Sequence, residues 1–393
     1  MSFLNDYQIY TAPLEVPEIF HIWCSMSALA AVAQRKVWLD MGHFKVAPNL
    51  YVILDSIPGK CGKDTAMDIV RDLLSEIKSV HTKSDAITKE KIFQDMAAGT
   101  QVFNLTTGEH IVHSSLTIFA TEMSLLIKRG DKDFVGALNA LFNTKAQIKN
   151  STKNRGEDII INPFLNILAG TTPEWINNNI QEDVIEGGLS ARSILLFSDT
   201  PKAPNPFPDI TPEGYKARER LLYRLEEISL LGGQLQFTTK GKEFYSNWYI
   251  RYHQTQPENP KMVGFHYRKR AHLLKTTILM SLADRSDLLI KEEDLERALQ
   301  LLDITEPAIE EALRGVGRNI LSGIAQDILL LVKRAKELSQ DELVRATFAK
   351  VDSRELGEIL RALQQMGQIR IDQKIEMGKA TQPIIVYTGG ERK

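Results

Sequence analysis

Residues 46–65 read VAPNLYVILDSIPGKCGKDT, and the fold class turns on them. Leu50, Tyr51, Val52, Ile53 and Leu54 form the short apolar run of a strand buried on both faces. A Pro-Gly-x-x-Gly-Lys turn follows at residues 58–63, and then a helix. Ala66, Ile69, Val70, Leu73, Leu74 and Ile77 fall at i, i+3, i+4, i+7, i+8 and i+11, which is a helical stripe. In this context the N–H groups of a tight glycine turn and a helix N-terminus form a concave anion site that a lysine completes. Against G-x-x-x-x-G-K-[ST], Gly62 and Lys63 are in place. Ile57 stands where the first glycine belongs, and Asp64 where the Mg²⁺-binding hydroxyl belongs. The expected nucleotide contacts are Pro58, Gly59, Lys60, Cys61, Gly62, Lys63, Asp64 and Thr65, with ATP as ligand and Asp64 or Thr65 reaching Mg²⁺. The alternative is a Gly-Lys turn between an ordinary strand and helix.

The chain has 393 residues, 43% hydrophobic and 25% charged, an ordinary globular composition. That length suggests two or three domains. A net charge of −2 excludes a polycation, so nucleic-acid contact must come from local patches. The two cysteines, Cys24 and Cys61, lie far apart, which argues for a reducing compartment with no disulfide framework or zinc cluster. The apolar helix candidate at 17–35 carries Glu18, His21, Gln34 and Arg35, and so reads as a core helix, not a membrane span. The polar start, MSFLNDYQIY, lacks a basic n-region. A cytoplasmic protein without membrane contact is expected.

Residues 1–45 read as a lead-in, with a helix opened by Pro17, a strand at 37–39 and a turn at Gly42. A nucleotide core at 46–200 follows. After the loop helix come a polar segment (81–112), a strand at 115–121, a helix starting near Glu122, the basic loop KAQIKNSTKNRG at 145–156, and strands at 164–170 and 193–198. Alternating strands and helices indicate a layered α/β sheet. The prolines of 201–212 mark an extended linker, and 213–318 reads as mainly helical, with a hairpin around 232–240. Residues 320–393 form a separate unit. Helices at 320–337, 340–347 (with Ser339 as N-cap) and 353–366 precede strands at 368–375 and 383–388. That is the order of a winged helix, whether it binds DNA or protein. Lys and Arg number 12 against 10 Asp and Glu there, so charge does not decide between them.

A second site element should be an apolar strand ending in a carboxylate. Ser115-Leu-Thr-Ile-Phe-Ala-Thr-Glu122 fits, with Glu122 as general base polarising the attacking water and Thr121 where an aspartate is usual. The alternative is that Glu122 opens a helix and favours its dipole. At the tip of the strand 164–170, Thr171 or Thr172 suits a γ-phosphate sensor, although Thr-Thr-Pro is equally a helix cap. Arg192, in GGLSAR, is placed to serve a neighbouring subunit's γ-phosphate, or is a plain surface arginine. Lys149, Lys153 and Arg155 in the basic loop, and Arg354, Arg361, Lys374 and Lys379 in the C-terminal unit, are the candidate nucleic-acid contacts. Residues 259–283, with Lys261, Arg268, Lys269, Arg270 and Lys275 and no acid, form a basic sensor region, a DNA-facing strip or a solvated helix face.

The segments PEIFHIWCSMSALAAVAQRKVWL, PNLYVIL-x₃-PG-x₂-GK, FATEMSLL, NPFLNILAGTTPEW and GGLSARSILLF, in that order, resemble the phage and mobile-element ATPases of the DUF3987 type, relatives of replicative helicases. The resemblance spans about residues 15–320. It implies an α/β, RecA/AAA+-like P-loop NTPase core with helical segments, here with a C-terminal winged-helix domain. It further implies ATP binding by Lys63 and its loop, a catalytic carboxylate at Glu122, Arg192 acting between subunits, and ring assembly. Ile57, Asp64 and Thr121 depart from the family pattern and bear on hydrolysis. The expected organisation is a lead-in (1–45), ATPase core (46–200), linker and helical subdomain (201–319) and winged helix (320–393).

The leading expectation is an ATP-dependent DNA helicase or helicase-like motor of phage or mobile-element replication. It would form a homo-oligomeric, hexameric ring on single-stranded or forked DNA, with replisome proteins as partners. A second is a nucleotide-binding, hydrolysis-poor assembly factor, such as a loader or replisome scaffold. A third is a winged-helix regulator that uses the core only to dimerise.

Overall fold

A computed structural model describes residues 2–389 apart from 85–86, 106, 129–130, 144, 153–155, 180–187, 315–319, 348–350 and 375–381. The chain forms two compact units, Met1–Val316 and Gly317–Lys393. Along the larger unit run β1 (Val37–Asp40), β2 (Lys45–Val46), β3 (Tyr51–Asp55), β4 (Thr82–Ser84), β5 (Thr100–Asn104) and β6 (His110–Ala120). They are followed by β7 (Gln147–Thr152), β8 (Gly156–Ile161), β9 (Pro163–Thr171), β10 (Ile194–Phe197), β11 (Gly233–Phe237) and β12 (Leu289–Ile290).

The central sheet has the order β10-β3-β9-β6-β4, all parallel, with β5 added antiparallel to β6. Every residue of β3 and β9 is buried. Strands buried along their whole length need cover on both faces, which helices supply in a parallel sheet. The helix Lys63–Ser75 docks through Ala66, Val70, Leu73 and Leu74 of the expected stripe, joined by Met67, while Ile69 is half-buried and Ile77 lies beyond the helix end. The helix Glu18–Ala33 is built from Ser, Ala, Cys and larger apolar residues and is buried on nearly every side.

This topology creates a switch point. The connection leaving β3 runs to β4 at one edge, and the connection leaving β9 runs to β10 beyond β3. Right-handed crossovers put two such connections on opposite faces of the sheet. The carboxyl ends of the neighbours β3 and β9 therefore flank the topological switch point, where open α/β sheets bind ligands.

Several expectations are corrected. Residues 1–45 are integral to the core: β1 pairs in parallel with β11, which pairs in parallel with β12. The hairpin expected around 232–240 is thus a single strand, β11, in a ladder of distant partners. The polar segment 81–112 holds β4, the helix Lys89–Ala98, β5 and the start of β6. The basic loop at 145–156 includes β7, antiparallel to β8. Glu122 opens no long helix. It is extended (φ −138°, ψ 132°) and leads into one 3₁₀ turn, Met123–Leu125.

In the smaller unit, the helix Ile320–Ala335, β13 (Glu337–Ser339), the helices Gln340–Thr347 and Ser353–Gln365, and the hairpin of β14 (Ile369–Lys374) and β15 (Gln382–Tyr387) follow in order. The sheet order is β13-β15-β14, with β13 the element that the sequence did not reveal. Ile328, Val332, Leu343, Leu356, Ile359, Leu360, Leu363, Ile369 and Ile385 form its own core. Among the described residues, no helix is long and apolar enough to cross a membrane.

Candidate functional site

The loop after β3 is shaped by its prolyl-glycyl pair. Lys60 N–H donates to Ile57 O (3.1 Å), closing a turn with Pro58 second and Gly59 (φ +73°) third. Proline there fixes φ, and only glycine easily adopts a positive φ there, the signature of a type II turn. Cys61 is buried and donates its thiol to Ser198 O (3.3 Å), which ties the loop to the end of β10. Gly62 is left-handed (φ +57°) and begins the helix Lys63–Ser75 without a side-chain cap. The first helical bond is Ala66 N–H to Gly62 O (3.1 Å). The N–H groups of Lys63, Asp64 and Thr65 therefore have no acceptor within the helix and point outward at its positive end. Pro58, Gly59, Lys60, Gly62, Asp64 and Thr65 are exposed, and Lys60 faces Asp199 (3.6 Å).

Lys63 turns inward. Its Nζ donates to Thr171 O (2.7 Å) and to Glu122 Oε1 (3.1 Å), with the lysine side chain 6% exposed and the glutamate 40%. The strand ends named for the loop, the carboxylate and the sensor thus meet at the switch point. Gly170 makes this possible. A Cβ there would lie 2.3 Å from Thr121 O and 3.2 Å from Lys63 Cε. Gly170→Ala is expected to lower stability by about 1–3 kcal/mol, as overpacking does, and to displace Lys63. Urea melts of the two proteins check this, and equal midpoints would contradict it.

Thr172 spends its hydroxyl on the cap of the following helix, accepting from Trp175 N–H (3.2 Å). Thr171 is the residue left facing the site: it is fully buried, and its Oγ1 has no partner among the described residues. A residue that sequence reasoning missed lies next to it. Asp55, the last residue of β3, is paired in register with Thr171 and fully buried, and neither of its carboxylate oxygens has a hydrogen-bond partner among the described residues. Burial pushes the Asp55 carboxyl up to about 7, with Lys63 opposing and Glu122 adding to the rise. Its signal in the sequence was weak, because an aspartate before a Pro-Gly turn ordinarily reads as a solvated turn-former. Partial burial also raises the Asp64 carboxyl, opposed by Lys63 and reinforced by Glu122 and Asp68.

No protein-family model matches this chain, and no curated protein matches it. Outward amides at a helix start, a buried ammonium and a carboxylate beside it suit a bound polyphosphate. For Mg²⁺ the loop itself offers the exposed Asp64 carboxylate and Thr65 hydroxyl, and Mg²⁺ is usually bound by one or two protein groups together with phosphate oxygens.

Arg192 lies elsewhere. It ends the short helix Leu189–Arg192, just before β10, whose Ile194 pairs with Val52 and Phe197 with Asp55. At about 3.3 Å per residue, it sits about 15 Å from the level of Asp55, at the amino edge of the sheet. Its Nη1 donates to Gly188 O (2.7 Å), and burial and the nearby Arg268 lower its pKa.

The nucleic-acid candidates separate. Lys149 is paired with Glu157 (3.2 Å) across the β7–β8 hairpin. Arg354 and Arg361 are exposed on the helix Ser353–Gln365, Arg354 near Glu358 (3.6 Å) and Arg361 donating to Gly357 O (3.2 Å). Lys374 ends β14, and Lys153, Arg155 and Lys379 lie outside the described residues. The basic stretch 259–283 is no free strip. Lys269 is buried between Asp303 (2.7 Å) and Glu306 (2.5 Å), and Lys275 is buried and donates to Ala47 O (2.9 Å) and Asn49 O (3.1 Å).

Proposed function

We propose that this chain is an ATP-hydrolysing DNA motor, helicase-like, with a RecA/AAA+-type P-loop core and a C-terminal winged helix, similar to the DUF3987-type ATPases of phages and mobile elements. One observation carries the proposal: Lys63, at the start of the helix that follows β3, meets Glu122 and Thr171, which follow β6 and end β9, at the switch point beside a Pro-Gly turn and an uncapped helix start. The order of helix, short strand, two helices and hairpin in the smaller unit supports the winged helix. Arg354 and Arg361 are among its exposed cations and suit phosphate contacts.

In this scheme the amides of residues 63–65 bind the triphosphate's oxygens. Lys63 leaves Thr171 O and Glu122 and swings onto the phosphates. Glu122, released from the lysine, orients and polarises the attacking water. Mg²⁺, bound with the nucleotide near Asp64 and Thr65, supplies charge neutralisation at the phosphate oxygens. Arg192, about 15 Å from its own loop by strand rise, does not serve its own triphosphate; acting on a neighbouring copy's, in a hexameric ring, is the role that the resemblance implies for it.

A second reading, a nucleotide-binding assembly factor with little turnover, is favoured by Asp64 and Thr121, which replace the usual hydroxyl and carboxylate. Steady-state ATP hydrolysis, measured with and without single-stranded DNA, separates the two. DNA-stimulated turnover is expected. ATP binding that changes oligomer size in mass photometry, with no phosphate release, would replace the motor by the assembly factor.

A further inference from the structure

Three segments of the larger unit meet in one aromatic patch. Phe44 lies in the turn before β2, Tyr249 and His253 around the end of the helix Thr239–Tyr252, and Tyr267 and Arg270 on the helix Val263–Asp284. The Arg270 guanidinium lies against two rings, 5.4 Å from the Phe44 centroid and 5.5 Å from that of Tyr249. Its Nη1 donates to Tyr249 Oη (3.3 Å). Tyr249 stacks in turn on His253, with centroids 5.8 Å apart and planes 22° apart. Tyr267 precedes Arg270 by three residues, so the two share a side of their helix. Tyr267 is 62% exposed and Phe44 43%.

Arg270 is half-buried, yet its partners among the described residues are rings and a hydroxyl, with no carboxylate. The preceding Lys269 is by contrast neutralised by Asp303 and Glu306. A guanidinium held on aromatic faces keeps its charge while losing water, and so favours an anion. The exposed rings share the patch with that cation, which calls for a partner both flat and anionic. Nucleotides of a single strand are both, since each carries a base with two π-faces and a phosphate. A duplex keeps its bases stacked on one another, so an unpaired strand offers them more readily.

We infer that Phe44, Tyr249, Tyr267 and Arg270 form a stacking surface for single-stranded nucleic acid. Bases lie on the Phe44 and Tyr267 rings, and Arg270 attracts a phosphate of the same strand. The surface shares no residue with the proposed ATP site, and strand binding to it needs no turnover.

Fluorescence anisotropy of a labelled oligothymidylate, with the full chain and no nucleotide, reads the affinity. Phe44→Ala and Tyr267→Ala should each weaken binding by about 10-fold, the usual loss of one stacked base. Melting curves close to the wild type are expected, since both side chains reach solvent, and the more exposed Tyr267 keeps the test decisive if Phe44→Ala unfolds. Arg270→Lys, which keeps the charge but not the plane, should weaken binding as well. An abasic strand of the same length should bind the wild type more weakly and be indifferent to the two ring variants. Unchanged affinity in both ring variants would overturn the inference, as would equal affinity for the two strands. Variants that keep strand binding but change oligomer size in mass photometry would instead assign the rings to contacts between copies. DNA-stimulated ATP turnover with unaffected ring variants would leave the proposed function standing without this surface. Stacking-dependent binding by a protein that turns over no ATP would sink the motor and keep the surface.

Discussion

Lys63→Ala should bind ATP far more weakly and lose at least about 10³-fold in kcat/KM, about 4 kcal/mol of transition-state stabilisation. A near-buried ammonium beside the switch point is a preorganised charge, and such charges are worth far more there than in water. The variant should still fold. Glu122 is 40% exposed and can rehydrate once its partner is gone. Asp55 loses the one cation that holds its carboxyl down, and so stays protonated and neutral at pH 7. A circular-dichroism spectrum matching the wild type, together with kinetics across ATP concentrations, checks both halves. Undiminished turnover in Lys63→Ala would remove the lysine from the chemistry.

Glu122→Gln should separate binding from turnover. The amide oxygen can still accept from Lys63, so the local structure is kept. The negative charge that faces an incoming triphosphate is gone. ATP affinity should hold or rise, while kcat falls by about 10²–10⁴-fold, the usual contribution of a positioned general base. A single-turnover experiment on the preformed complex measures this directly. Equal losses in affinity and kcat would make Glu122 a structural partner of Lys63 and nothing more.

The parts of the site that could be read from the sequence are those encoded locally. The β3 run, the Pro-Gly turn and the six-residue stripe after it all lie within one stretch, and their periodicities are unambiguous. Glu122 was found because an apolar strand leads straight into it. What escaped depends on long-range pairing. Asp55 is buried because β9 and β10 flank it, and those strands come from residues 163–171 and 194–197. β11 looked like half of a hairpin because its true partners, β1 and β12, are far away in the chain. Lys269 and Lys275 looked like a basic strip, since the carboxylates and carbonyls that satisfy them belong to other segments. Thr171 and Thr172 could be told apart only once the helix start at Pro173 had claimed the second hydroxyl.

The central claim is that the turn at Gly59 and Gly62, with Lys63, holds a triphosphate. Calorimetric titration of the wild type with a non-hydrolysable ATP analogue and Mg²⁺ tests it without depending on turnover, DNA or assembly. Saturable binding with a Kd in the micromolar range, about −8 kcal/mol, is the predicted result. No heat of binding at millimolar analogue, from protein shown to be folded, would contradict the account.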